Sequence, residues 1–581
     1  MKRNELKTGA VLSYINLIIG NLIPFIYTPI MLRLLGQAEY GLYGIASSIM
    51  GYLGLLNFGI GGSIVRYLSK YRAIGDEQAE ARVAGLFIKI YSVVCGLILV
   101  AGFVFAANIQ IYGRSLTADE IETLRTLVIL MTINTAIFLP FSVFNSIVLA
   151  HERYVFSKVV GMLCTIAGPL LNIVLLYCGF GSVGLVVTST ALNFISYGLY
   201  TWYCIKKLNI HPSFGRTEPG LLNEILHFSA FVFWASMVDV LYWSTDKLII
   251  GWAIGSVATA IYNVGATFNT YVTGLSSALS GLLVPKLTNM AVKDAPKEQF
   301  SEIFIKVGRL QFIIISFIVS AFVAFGRQFI SIWAGPEYHE AYYVALLTMI
   351  PVTVPLIQNT GLNILYALNR HKFRSIVYTC IAIANVGLTF WWVKDFGIIG
   401  AAMATCIAYV IGNILIMNWY YYKKIGLNIP LFWKNILKMS PVMLIMGAAW
   451  WIILNYIQIN NWLVFFALAA AYTVMYLPLA YRFMMNQYER DIVMAPMKKI
   501  LQKLRLTKQR RLSWNCAKSN SVQAVLPVQI HAPRSLSIWN RMPRAFCVLW
   551  YRKKVVLIVD HAKTAARFCI QCVIKAMSQR R

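Results

Sequence analysis

The chain has 581 residues, 59% hydrophobic and only 13% charged, with a mean hydropathy of +0.65. That balance excludes a soluble globular protein, which at this length needs far more polar surface, and points to lipid as part of the solvent. The formal charge of +30 does not imply nucleic acid: no DNA- or RNA-binding motif accompanies it, and Lys and Arg gather in the cytoplasmic loops of membrane proteins.

The chain opens MKRNELK and runs on into apolar sequence longer than a signal-peptide core, with no small-residue cleavage site behind it, so a retained first spanning helix is expected over roughly 9–32. Further windows long enough to span follow at roughly 41–64, 85–106, 124–148, 158–178, 184–204, 228–252, 257–283, 307–326, 343–367, 374–394, 398–420, 438–457 and 462–481. The expected fold is an all-α polytopic membrane protein of about fourteen spans. Basic residues cluster in alternate loops: Lys2, Arg3 and Lys7, then Arg66, Lys70, Arg72 and Arg82, and so on to Lys423, Lys424 and Lys434. The other loops hold little beyond Arg33, Arg114, Arg125, Arg327 and Lys394. This asymmetry places both termini in the cytoplasm, and an even span count agrees.

The chain repeats itself. FGSVG at 180–184 recurs as FGIIG at 396–400, FIKI at 87–90 as FIKV at 304–307, and Lys206-Lys207 as Lys423-Lys424; Gly36 and Tyr43 match Gly255 and Tyr262. All four matches fall in order at shifts of 216 to 219 residues. A duplicated six-span lobe follows, 1–226 and 227–436, with two extra spans in 437–482 and a basic tail over 483–581. Six is even, so both lobes enter the membrane in one direction, related by an axis along its normal, with a path at their seam.

Enzyme signatures are thin. DxD, HExxH, GxSxG and P-loop patterns are absent. Cys569 and Cys572 form a lone CxxC, and the histidines do not cluster, so neither metal nor cofactor is expected. Charges inside apolar runs say more, because placing one there is expensive. Asp239 and Asp246 lie seven residues apart in span 7 and so share a helix face, with Lys247 turned away. They fit either packing pairs or a coupling or charge-balancing site. Arg33, Arg66, Lys89 and Lys306 fit either headgroup snorkelling or a cationic lining that receives phosphate.

Several stretches resemble the polysaccharide-transporter branch of the multidrug/oligosaccharidyl-lipid/polysaccharide exporter superfamily, the bacterial oligosaccharide flippases: LRLLGQAEYGLYGIA (32–46), NFGIGGSIVRYLSKY (57–71), STDKLIIGWAIGSVATAIYNVG (244–265) and SIWAGPEYHEA (331–341). The resemblance covers about residues 5–490. It implies two six-helix lobes in the bacterial cytoplasmic membrane, around a cavity through which a polyprenyl-pyrophosphate-linked oligosaccharide passes to the outer leaflet by alternating access. It also implies, as partners, a polysaccharide polymerase and the glycosyltransferases of the same pathway. Arg33 and Arg66 fall on its motif stretches; Lys89 and Lys306 come from the repeat. A cation-coupled multidrug exporter of the same superfamily is the nearest alternative, weakened by the lack of an acid in span 1. A glycan-assembly membrane scaffold is another.

From about Arg505 the texture becomes Arg-, Trp- and Cys-rich without helical period, and nothing in the family resembles it. A polybasic lipid-binding segment and an out-of-frame translation both produce such sequence; the second is the favoured expectation. CVLWYRKKVVLIVD is expected to find no partner there.

Overall fold

The computed structural model describes residues 2–495, apart from 217, 282, 371, 458 and 460, together with 547–551 and 554–558. Met1–Val493 forms one compact unit and Met494–Arg581 a second.

In the first unit, one set of helices comprises α1 (Lys2–Gly54), α2 (Ile60–Ile74), α3 (Glu77–Ala107), α4 (Ala118–Phe138), α5 (Ser142–Ala150), α6 (Tyr154–Tyr177) and α7 (Gly181–Lys206). The same order returns in α8 (Leu221–Ala253) with α9 (Ser256–Gly281), α10 (Val284–Val292), α11 (Lys297–Trp333), α12 (Ala341–Ile357), α13 (Asn359–Ala367) and α14 (Lys372–Tyr409). From α14 the chain continues through π-helical turns around α15 (Asn418–Tyr420) as far as Ile425. α16 (Ile429–Asn455) and α17 (Trp462–Leu479) follow.

Among the described residues, ten helices are long and apolar enough to cross a membrane, or eleven if α12 and α13, bent by 44°, count as one span. Splitting α1 at Gly36 and α14 at Gly397, where the backbone leaves helical geometry, and adding α9, places a helical segment on each of the fourteen expected spans. The chain is therefore an integral membrane protein of all-α architecture.

The backbone records the duplication. Positive φ angles occur in pairs at the same shifts as the sequence motifs: Gly36 (76°) with Gly255 (127°), Gly75 (83°) with Asp294 (48°), Glu152 (58°) with Asn369 (54°), Gly181 (53°) with Gly397 (59°), and Asn209 (57°) with Gly426 (85°). L-residues with a Cβ seldom take this conformation. Five coincidences in register mark two copies of one chain path, called here lobe N (α1–α7) and lobe C (α8–α15).

Local chemistry sets the helix ends. Asp76 caps α3 by accepting from the Ala79 amide at 2.8 Å. Thr117 and Glu120 form a reciprocal capping box at the start of α4. The two helices outside the repeat pack on lobe C: Tyr472 and Tyr476 of α17 meet Ser320 and Ser316 of α11 at 2.6 and 3.1 Å. The chain then turns back, and Glu489, beyond α17, accepts from Arg309 of α11 at 2.6 Å.

Chain direction defines two faces. One carries the α2–α3, α5–α6 and α7–α8 turns, here the near face. The far face carries Gly36, Gly181, Gly255, Gly335 and Gly397.

In the second unit the described residues beyond 495 are two antiparallel strands, β1 (Cys547–Tyr551) and β2 (Lys554–Ile558), with Cys547 opposite Ile558 and Tyr551 opposite Lys554. The sequence expectation that this stretch lacks a partner is thus corrected: its two halves pair with each other. The expected change of texture near Arg505 lies outside the described residues.

Candidate functional site

The lobes meet along a seam of small residues. On lobe N these are Gly41, Gly44 and Gly51 of α1. A Cβ on Gly41 would lie 1.9 Å from the Ser256 carbonyl oxygen, and one on Gly51 3.1 Å from the Ser244 hydroxyl. In lipid, where apolar burial gives little net gain, such close backbone approach is what holds helices together.

Polar contacts bridge the seam at both faces. On the far face, Ser115 donates to the Gly251 carbonyl at 2.7 Å, and Ser256 donates to Glu120 at 2.5 Å. Glu120 therefore caps α4 and holds lobe C at once. Arg33 donates to the Ile332 carbonyl at 3.1 Å, Gln37 to that of Glu337 at 3.2 Å, and the Trp333 indole to that of Phe25 at 3.0 Å. Nearer the other face, the Ser63 and Ser229 hydroxyls meet at 2.9 Å, and Arg66 lies over the Phe228 ring, 4.7 Å from its centroid. Midway, the hydroxyls of Tyr52 (α1) and Thr245 (α8) pair.

The four basic residues proposed from sequence do not converge. Arg33 is at the far face. Lys89 lies on the near-face half of α3, where it donates to the Phe214 carbonyl at 2.8 Å. Lys306, its repeat partner on α11, pairs with Glu302 one turn away and sits 5.5 Å from the Tyr488 ring centroid. All four are exposed. Lys89 also holds the interlobe linker in place. There Ser213 donates to the Ala81 carbonyl at 2.8 Å, and Tyr71 donates to Glu218 at 2.9 Å.

The two carboxylates of α8 have different surroundings. Asp246 is 2% exposed and accepts three hydroxyl donors: Tyr262 of α9 at 2.6 Å, Thr405 at 2.8 Å and Thr389 at 3.0 Å, both of α14. A buried carboxylate needs such donors to replace lost water. Lys247 beside it is half-buried. Asp239, two turns toward the near face, is exposed, with Arg374 of α14 as an electrostatic neighbour. Among the described residues, no three His, Cys, Asp or Glu side chains converge as metal ligands. Instead His151 pairs with Glu80 at 2.7 Å, tying α5 to α3.

Against this seam lies an apolar cavity of 690 Å³. Leu22 and Phe25 of α1, Phe268 of α9, Phe322 and Phe329 of α11 and Phe465 of α17 line it. Lobe N, lobe C and a helix outside the repeat all contribute.

This architecture can be set beside known proteins. Residues 6–291 match the family described as polysaccharide biosynthesis protein. That match agrees with the polysaccharide-transporter resemblance read from the sequence. A Shigella flexneri protein described as an O-antigen transporter is 18% identical over 394 residues, 67% of this chain and 91% of the relative. A solved structure of the lipid II flippase MurJ, in an inward closed conformation, superposes with a TM-score of 0.65 at 14% identity, covering 82% of this chain and 99% of that one. An inward-facing multidrug-resistance MATE transporter of the MOP superfamily superposes at 0.54 and 14% identity, covering 72% and 96%. The fold is that of these transporters.

Within this polysaccharide-biosynthesis resemblance, sequence reasoning missed two features. One is the cavity, because spans 13 and 14 carried no motif. The other is a buried ion pair, Arg309 with Glu489, at 2.6 Å. Arg309 lies inside an apolar run, the signal that singled out Asp246, and its neighbours on α11 gave no hint of a partner 180 residues away.

Proposed function

We propose that this protein moves a polyprenyl-pyrophosphate-linked oligosaccharide across the bacterial cytoplasmic membrane, from the near, cytoplasmic face to the far one, by rocking of its two lobes. The observation that carries this reading is the apolar cavity beside a polar seam. A lipid-linked glycan has a charged head that cannot cross hydrocarbon unaided and an apolar tail that has no place in water. A seam bridged by exchangeable hydroxyl and carbonyl contacts can open for the head while the 690 Å³ cavity keeps apolar chain against aromatic walls. A small cationic drug needs no second compartment of that kind.

The basic residues then act at the two ends of the route. Arg66, Lys89 and Lys306 draw the pyrophosphate to the near face, and Arg33 meets it at the far face. Arg suits this use because its fork pairs bidentately with phosphate oxygens. Asp246 is the coupling carboxylate, and Asp239 balances charge with Arg374. The lobes divide in the linker between α7 and α8, which ends where α8 begins at Leu221, a few residues before the 226/227 boundary expected from the sequence. No bond of the substrate is broken.

The test is reconstitution in liposomes with a polyprenyl-pyrophosphate oligosaccharide in the leaflet facing the near side. The reading requires its protein-dependent appearance in the opposite leaflet. No movement of that lipid, together with export of a lipophilic cation by the same vesicles, would establish the drug-exporter alternative.

A further inference from the structure

Two backbone carbonyls on the far-face half of the seam lack the partner their own helix would give, and each is met by a side chain of the opposite lobe. In an α-helix the carbonyl of a residue accepts the amide four residues on. Pro29 stands inside α1 and has no N–H, so the Phe25 carbonyl is left without that bond. Ile332 is in the last turn of α11, and the residue four places on is Pro336. The Ala334 and Gly335 amides that follow this turn both return to the Ile330 carbonyl, at 2.8 and 3.2 Å, and leave that of Ile332 free. Across the seam the donors are exchanged. The Trp333 indole of lobe C donates to the Phe25 carbonyl at 3.0 Å, and the Arg33 guanidinium of lobe N donates to the Ile332 carbonyl at 3.1 Å. Arg33 follows Pro29 by one turn, and Trp333 follows Ile332 directly. Each orphaned carbonyl therefore lies close to the donor that its own lobe offers in return.

Position makes this exchange a closure. Phe25 lies eleven residues before Gly36 (25 to 36), where α1 leaves helical geometry. Its carbonyl is thus about 16 Å below the far end of that helical segment, within hydrocarbon depth. An unpaired carbonyl there is costly, and so is an unpaired indole N–H on a side chain as buried as Trp333. The indole ring lies 5.7, 5.6 and 5.8 Å, centroid to centroid, from Phe25, Phe268 and Phe329. Those three rings line the apolar cavity. Phe329 is one turn before Trp333 on α11, so the indole covers the far-face end of that cavity.

We propose that the bond from Trp333 to Phe25, made possible by Pro29, is a latch that holds the far face shut over the cavity, with Arg33 on Ile332 as its second catch. This deepens the rocking of the lobes proposed above and rests on it. Pro29 acts by withholding an amide: with one, the Phe25 carbonyl would be satisfied inside lobe N and would hold nothing. Both bonds must break before the far ends of α1 and α11 separate, and their breaking frees the Arg33 fork for phosphate. Pro29 and Trp333 are positioning residues of closure.

The experiment is labelling of a Met31→Cys reporter by a membrane-impermeant maleimide from the far side. It uses the full-length protein in liposomes, with its ten native cysteines replaced. Met31 is 8% exposed and packs in the same apolar cluster as Trp333. Trp333→Phe should speed labelling about tenfold, the effect of one lost hydrogen bond of this kind. Pro29→Ala returns an amide to the Phe25 carbonyl and leaves the indole ring in place. It should speed labelling equally, and the two changes together should be no faster than either, because both break one bond. Arg33→Met, at the separate bond, should multiply either rate; if it does not, Arg33 is no part of the latch. Replacing the Trp333 side chain by its benzothiophene analogue keeps both rings and removes the N–H. It should match Trp333→Phe, and it gives the answer if Pro29→Ala does not insert. Unchanged labelling with the analogue or in inserted Pro29→Ala would mean that ring packing closes the far face, and would overturn the latch. Rates that multiply in the Pro29→Ala, Trp333→Phe double variant would overturn it too. The labelling needs no lipid-linked glycan. A chain that behaves this way but moves no lipid in the liposome assay refutes the transport reading and leaves the latch; one that moves it with labelling unaltered in every variant does the reverse.

Discussion

Arg309 and Glu489 show what a charged pair costs and holds at the scale of one residue. Their side chains are 8% and 2% exposed. Arg309 uses its whole fork: Nε and Nη2 to Glu489, Nη2 also to the Met484 carbonyl at 2.9 Å, and Nη1 to Asn435 at 3.3 Å. Glu489 additionally accepts from the Asn486 amide at 2.8 Å. Removing one partner of a buried pair leaves the other charge uncompensated, which costs about 3–5 kcal/mol, whereas replacing both by apolar residues of similar volume is often neutral. Glu489→Ala should therefore lower the thermal unfolding midpoint of the purified protein sharply. Arg309→Met combined with Glu489→Leu should recover most of that loss. If the double variant is no more stable than the single, the pair is held by its surroundings rather than by its own charges.

Among elements, α1 carries the closest approach between lobes. A Cβ on Gly41 would fall 1.9 Å from the Ser256 backbone oxygen, a clash that no rotamer relieves, while at Gly44 the nearest atom is the Asn263 amide nitrogen, 3.5 Å away. Gly41→Ala should hold the far-face ends of α1 and α9 apart, and Gly44→Ala should not. The measurement is labelling of a Gln37→Cys reporter by a membrane-impermeant maleimide. Gly41→Ala should speed it by roughly tenfold, equivalent to about 1.4 kcal/mol on the closed state; equal rates in the two variants would remove the glycine from far-face closure. The elements also show where sequence stops being legible. Period and length put a helical segment under each expected span, though only ten or eleven helices among the described residues qualify as spans by themselves, and the FGSVG and FGIIG motifs marked the two kinked turns at Gly181 and Gly397. The shared face of Asp239 and Asp246 followed from helix geometry alone. The hydroxyls around Asp246 did not, because Tyr262, Thr389 and Thr405 lie 16, 143 and 159 residues from it. Nor did the dispersal of Arg33, Arg66, Lys89 and Lys306: residue type and loop position give a side chain its charge, but only packing decides which carbonyl or ring it meets.

For the whole molecule, the useful boundary lies after the repeat rather than inside it. The largest apolar cluster runs from Phe304 and Phe312 of lobe C through Phe432 and Trp450 of α16 to Tyr472 and Tyr476 of α17, and it ends at Met484. The helical body thus includes the two extra helices, and Glu489 fastens the chain just beyond them. Sequence beyond about Arg505 shares neither the apolar composition nor the family resemblance of what precedes it. Two truncations separate these parts. Removal of 506–581 should leave membrane insertion, thermal stability and flipping per inserted molecule as they are in the full chain. Removal of 485–581 takes Glu489 away, strands the Arg309 cation under α11 and should lower stability as far as Glu489→Ala does, with flipping lost in proportion to folded protein. The comparison of the two is what matters, since both delete the same basic tail. If the shorter deletion inserts normally but no longer flips, the tail is a working part of the transporter and the out-of-frame expectation fails; if the longer one is as stable as the full chain, the Arg309–Glu489 pair is not what fastens the end of the body.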